Sequence, residues 1–117
     1  MKKRRFDTIE VVLGDAMPMS RRTVTGILQS LGFRGVTGFK SVEELRGHFS
    51  EGEVDLLVCD LDLPEGSSSD FFHEVRHGSV GTDPFVPILA YTWEPRKGLV
   101  EAVIKAGADT LLTMPMS

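Results

Sequence analysis

The spacing of apolar residues changes several times along the chain, and each change marks an element. Ile9, Val11, Val12 and Leu13 form a short apolar run with no polar face, as in a strand buried on both sides of a parallel sheet. Val24, Ile27, Leu28 and Leu31 then recur at i, i+3, i+4 and i+7, and Gly32 follows as a stop. That spacing predicts an amphipathic helix over residues 18–31. A short strand is expected over 36–39. Ser41, followed three residues later by Glu44, reads as a capping box that opens a second helix carrying Val42, Leu45 and Phe49. Residues 54–59 are again apolar apart from Asp55 and run into Asp60-Leu61-Asp62-Leu63-Pro64, where Pro64 and Gly66-Ser67-Ser68-Ser69 break the strand into a loop. A third helix is expected over 70–76 and a fourth strand over 86–91. A fourth helix should start near Pro95, with Leu99, Ala102, Val103 and Ala106 on one face and Gly107 after it, and a fifth strand follows over residues 110–113. Strands alternating with helices in this way call for right-handed crossovers and an open parallel sheet with helices on both faces.

Composition narrows the picture further. With 117 residues, 41% of them hydrophobic, the chain can build one core and not two, so residues 1–117 read as a single domain with a flexible basic start over 1–7. A formal net charge of −4 argues against a nucleic-acid surface, which normally shows as a basic stripe. The basic run at residues 2–5 precedes no apolar stretch of signal-peptide type, and no segment approaches the ~18 apolar residues of a membrane span. Cys59 is the one cysteine, so no intrachain disulfide can form, in keeping with a cytoplasmic location.

In open parallel sheets the chemistry gathers beyond the carboxyl ends of the strands, where strand order reverses. Those ends here carry Asp15, then Asp60 and Asp62, then Thr92, then Met114-Pro115. Three carboxylates on one rim repel unless a cation sits among them, and Mg²⁺ takes carboxylates, a carbonyl and waters in an octahedral shell. The plainer alternative is that each aspartate caps a loop or the following helix.

Asp60-Leu61-Asp62-Leu63-Pro64 after an apolar strand, Asp15 with Pro18 and Arg21-Arg22 behind it, Thr92 after Pro87-Ile88-Leu89, and Ala106-Gly107-Ala108-Asp109 with Pro115 beyond resemble the receiver domains of two-component response regulators, over nearly the whole chain. The resemblance implies a flavodoxin-like doubly wound α/β fold: five parallel strands in the order 2-1-3-4-5 inside a three-layer α/β/α sandwich. It also implies a phosphoacceptor signalling domain rather than an enzyme, with at most self-catalysed phosphotransfer and dephosphorylation. Asp60 would take a phosphoryl group from a histidine kinase or phosphotransfer protein, with Mg²⁺ on Asp15, Asp60 and Asp62, and Thr92 would bind a phosphoryl oxygen as the switch residue. An output domain or partner protein would read the state, and Pro115 would follow a cis peptide bond.

Four positions depart from that pattern. Ala16 stands where the family carries a second acid, its direct metal ligand, and Met114 where it carries a lysine; loss of one such charge partner costs about 10² to 10³ in rate. Trp93 replaces a small residue beside the threonine, and Leu111 replaces the frequent switch aromatic. Mg²⁺ should therefore bind weakly, unless Asp62 compensates for Ala16, and a pseudo-receiver that binds partners without being phosphorylated is the alternative. The chain also stops just past the fifth strand, where receivers continue into a fifth helix. Sheet surface left uncovered in this way predicts a homodimer or a covering partner. Separately, His73-Glu74-Val75-Arg76-His77 spells the H-E-x-x-H pattern of zinc proteases on a predicted helix, and a zinc enzyme is the third reading.

Overall fold

The structure, a computed structural model, describes residues 8–115; the basic run at 2–5 and the last two residues lie outside that range. Five strands, β1 (Glu10–Gly14), β2 (Gly35–Phe39), β3 (Leu56–Asp60), β4 (Ile88–Thr92) and β5 (Thr110–Thr113), alternate with four helices, α1 (Pro18–Ser30), α2 (Val42–Glu51), α3 (Ser68–Arg76) and α4 (Leu99–Ala106). The strands pair in parallel in the order β2-β1-β3-β4-β5, so strand order reverses beside β1. The flavodoxin-like topology expected from the resemblance is the one observed.

Alternation within each central strand builds two cores. Val12, Leu57, Cys59, Ile88 and Ala90 face one side and pack with Val42, Leu45 and Phe49 of α2, Phe71, Phe72 and Val75 of α3, and Val103 of α4. Phe49 and Phe71 meet edge to face at 5.1 Å, the arrangement that ring quadrupoles favour. Val11, Leu13, Val58, Tyr91 and Met114 face the other side and pack on Val24 and Leu28 of α1.

Local signals set several boundaries. The Ser41 hydroxyl caps α2 by accepting the Glu44 N–H at 3.2 Å. The Glu44 carboxylate reaches back to the Lys40 N–H at 2.7 Å, one residue beyond a standard capping box. β3 and β4 each begin two residues later and end one residue later than the apolar runs suggest, because ladder register with neighbouring strands, not hydrophobicity, decides which residues pair. α3 begins at Ser68, capped by the Ser67 hydroxyl, which accepts the Asp70 N–H.

The fourth helix differs most from expectation. It starts at Leu99 and not near Pro95. The Thr92 hydroxyl accepts the Glu94 N–H and tightens a turn, and Gly98 at φ 77° redirects the chain before the helix begins. Val103 and Ala106 are buried, whereas Ala102 is exposed. At the opposite end of the sheet, the Arg76 guanidinium donates to the carbonyls of Gly107, Pro84 and Val86 and pairs with Asp109 at 3.0 Å, tying α3 to the segments that enter β4 and β5.

Candidate functional site

The carboxyl ends of β1, β3 and β4 open onto a cleft of about 540 Å³. Asp60, Asp62 and Glu94 supply its acidic groups, while Ala16, Met17, Met19 and Trp93 make much of the remaining wall apolar. Asp60, the last residue of β3, is only 6% exposed. Its Oδ1 accepts the Asp62 N–H at 3.1 Å, and its Oδ2 takes no hydrogen bond from the described residues. Its backbone is fixed by the Ser68 hydroxyl, which donates to the Asp60 carbonyl at 2.9 Å. Burial, reinforced by the charges of Asp15, Asp62 and Glu94, pushes the Asp60 carboxyl up to about 6, against the opposing pull of the Asp62 N–H. At neutral pH it is thus an ionised, poorly compensated carboxylate. The neighbouring Cys59 thiol is completely buried and is pushed up to about 12, chiefly by desolvation, so it is inert at neutral pH.

Asp62 is exposed, lines the cleft and lies 3.6 Å from the Arg96 guanidinium. Such an exposed pair contributes little stability and leaves the carboxylate adjustable. Thr92, the last residue of β4, is fully buried. Its hydroxyl oxygen accepts the Glu94 N–H at 3.0 Å, which leaves its own proton free to be donated. Its carbonyl accepts the Met114 N–H at 2.8 Å, linking the ends of β4 and β5. The Met114–Pro115 peptide bond is cis, and the Met114 side chain is buried on the α1 side of the sheet. Leu111 is half-buried against the opposite core.

Asp15 behaves unlike the other two aspartates. It is wholly buried, and neutral donors occupy its carboxylate. Oδ1 accepts the Met17 N–H at 2.9 Å, and Oδ2 accepts both the Ser20 hydroxyl and, at 2.5 Å, the Tyr91 hydroxyl. The Ser20 oxygen in turn accepts the Trp93 Nε1–H at 2.8 Å. A hydrogen-bonded line therefore runs from Trp93 on the cleft wall, through Ser20 and Asp15, to Tyr91 inside the sheet. Arg21, the nearest cation in this network, donates to the Asp15 carbonyl and not to its carboxylate. Burial, with the hydrogen bond to Asp15 second, pushes the Tyr91 hydroxyl strongly upward, so it is a donor at neutral pH.

These contacts correct the expectation of a metal site shared by Asp15, Asp60 and Asp62. Among the described residues no three carboxylate, histidine or cysteine groups come together to hold an ion. Both Asp15 oxygens are already engaged, and Ala16 offers no side-chain oxygen. The donor set consequently does not fit a tight Mg²⁺ site, since a hard cation needs oxygen ligands in an octahedral shell.

Sequence reasoning passed over Tyr91 and Ser20 and took Trp93 only as the replacement of a small residue. The signal was present: a tyrosine within an otherwise aliphatic strand must find a partner for its hydroxyl when buried.

The zinc reading is corrected as well. Glu74, the general base of that pattern, is held by two nitrogens of Arg46 at 2.8 and 2.9 Å. His77 caps the end of α3, with Nδ1 2.8 Å from the His73 carbonyl. The two exposed imidazoles, 5.8 Å apart between ring centres, belong to no group able to hold a metal.

Among the described residues no helix is long and apolar enough to cross a membrane. Comparison with known proteins agrees with the fold. The family model of the response regulator receiver domain matches residues 11–117. The receiver domain of a sensor histidine kinase from Pseudomonas aeruginosa, solved with a magnesium ion coordinated in its active site cleft, is 25% identical and superposes with a TM-score of 0.80, covering 93% of this chain and 87% of that one. A chemotaxis protein of Vibrio cholerae is 24% identical with a TM-score of 0.79, over 93% and 88% of the two chains. A Burkholderia pseudomallei response regulator solved with a phosphorylated aspartic acid is 18% identical with a TM-score of 0.78, and there the match spans 93% of this chain but 61% of the other. A search of curated proteins gives no match.

Proposed function

Because this chain belongs to the response-regulator receiver family, we propose that it works in two-component signal transduction by accepting a phosphoryl group on Asp60 from a histidine kinase or phosphotransfer protein. The observation that carries this reading is the state of Asp60: Oδ1 is fixed by the Asp62 N–H, while Oδ2 is free of hydrogen bonds from the described residues, beside a cleft large enough to admit a phosphoryl donor. In the transfer, Oδ2 attacks phosphorus in line with the leaving group. The phosphorus–nitrogen bond of a phosphohistidine breaks, and the departing imidazole keeps the electron pair and takes a proton from solvent. Phosphoryl transfer depends on positioning and charge neutralisation more than on covalent chemistry. This chain supplies the positioning. Thr92 has a hydroxyl proton to give a phosphoryl oxygen, and its turn with Glu94 would have to rearrange to follow that oxygen.

Charge neutralisation is the weak part. Asp60, Asp62 and Glu94 are the carboxylates that line the cleft, but Asp15 is held by its own donors and Ala16 adds no ligand, so Mg²⁺ occupancy is low and transfer is slow. The second reading, a receiver that signals by binding partners without being phosphorylated, draws support from the engagement of Asp15 by three neutral donors. The test is exposure of the chain to acetyl phosphate with Mg²⁺, reduction of any acyl phosphate with borohydride, and peptide mapping. Modification confined to the peptide carrying Asp60 supports the proposal. No modification, with the fold intact, leaves the partner-binding reading in its place.

A further inference from the structure

Complete burial of Asp15 gives Tyr91 a role beyond packing. The Tyr91 side chain is 1% exposed, and the Asp15 carboxylate is the partner the structure gives its hydroxyl. For Asp15 to turn an oxygen toward a cation in the cleft, that hydroxyl would be left without an acceptor inside the sheet, where an unpaired donor is costly. Ser20 adds a second restraint, because its hydroxyl bridges Trp93 and the same Asp15 oxygen.

We propose that Tyr91 is a positioning residue that, with Ser20, holds Asp15 as the hydrogen-bond hub of the cleft wall and out of divalent-cation coordination, so that Tyr91 sets the cation affinity of the site. The consequence reaches the surface. Trp93 is oriented through Ser20 by the same carboxylate, so its indole reports whether Asp15 is held or released. This inference concerns cation binding alone and stands whether or not Asp60 is phosphorylated.

Trp93 is the single tryptophan, which makes the test direct. The whole chain is titrated with MgCl₂ while Trp93 emission is followed, and isothermal calorimetry measures the same equilibrium independently of the indole. Tyr91→Phe keeps the ring and removes the donor; it should bind Mg²⁺ about fivefold more tightly than the parent chain, the worth of one buried hydroxyl no longer orphaned. Ser20→Ala, a smaller change at a half-buried helix position, should shift affinity in the same direction and decides the matter if Tyr91→Phe does not fold. Adding Ala16→Asp to either variant should tighten binding further. Affinity unchanged or weakened in the folded variants would overturn the proposal and reduce Tyr91 to a packing residue, even if thermal stability fell. Labelling of Asp60 bears on the signalling reading and not on this one.

Discussion

Replacing Asp60 with asparagine should stabilise the fold at neutral pH and do much less in acid. Asp60 is 6% exposed, and its carboxyl is pushed up to about 6 from an ordinary 3.8, first by burial and then by the nearby charges of Asp15, Asp62 and Glu94. Between those two values the folded state binds more proton than the unfolded chain. The favourable contribution is fully present below pH 3.8 and is lost as pH rises through about 6. At 1.36 kcal/mol per pH unit, ionisation of Asp60 costs the fold about 3 kcal/mol by about pH 7.5, but only about 1 kcal/mol at about pH 4.5. Asparagine is nearly isosteric and cannot ionise, and its amide oxygen can keep the bond from the Asp62 N–H, 3.1 Å in the native site. Asp60→Asn should therefore gain about 2 to 3 kcal/mol near pH 7.5 and about 1 kcal/mol or less near pH 4.5. Urea unfolding at the two pH values, followed by circular dichroism and Trp93 emission, measures both differences. An equal gain at both, or a loss at neutral pH, would refute the argument that Asp60 is a desolvated and uncompensated charge.

Three further outcomes follow from contacts elsewhere. Arg76→Ala should cost about 3 kcal/mol in urea unfolding, because the carbonyls of Gly107, Pro84 and Val86 lose their guanidinium donor together. Gly107→Ala should cost about 2 kcal/mol by the same assay, since φ is 126° and an added Cβ would lie 2.7 Å from Arg76 Cγ. Met114→Lys should restore a cation at the end of β5 and raise the rate of Asp60 labelling by acetyl phosphate about a hundredfold, and an unchanged rate would show that the missing charge is not what limits transfer.

The fold was legible because its signals are redundant. Apolar runs, the Gly32 stop and the Ser41–Glu44 cap each point to an element independently. Where a single signal stood alone it misled: Pro95 suggested a helix start, but the turn closed by Thr92 and the left-handed Gly98 delay the helix to Leu99. The site was legible in part. Asp60 and Thr92 could be placed because strand ends in a parallel sheet share one rim. What spacing along the chain cannot supply is hydrogen-bond partnership across it. Tyr91 reaches Asp15 over 76 positions, and Trp93 reaches Ser20 over 73, on the sheet face that α1 covers, with β3 lying between β1 and β4. That pairing turned an expected metal ligand into a buried carboxylate held by three neutral donors. The motif at His73–His77 erred for a similar reason, since its glutamate had a partner, Arg46, on another helix.

The most direct test of the central claim is an intact-mass time course of the chain with acetyl phosphate and Mg²⁺, run beside Asp60→Asn. The account predicts a slow increment of a single phosphoryl group on the parent chain, lost on mild alkaline hydrolysis as an acyl phosphate must be, and no increment on the variant. A mass that never changes in a folded parent chain, or an equal increment on Asp60→Asn, would contradict it.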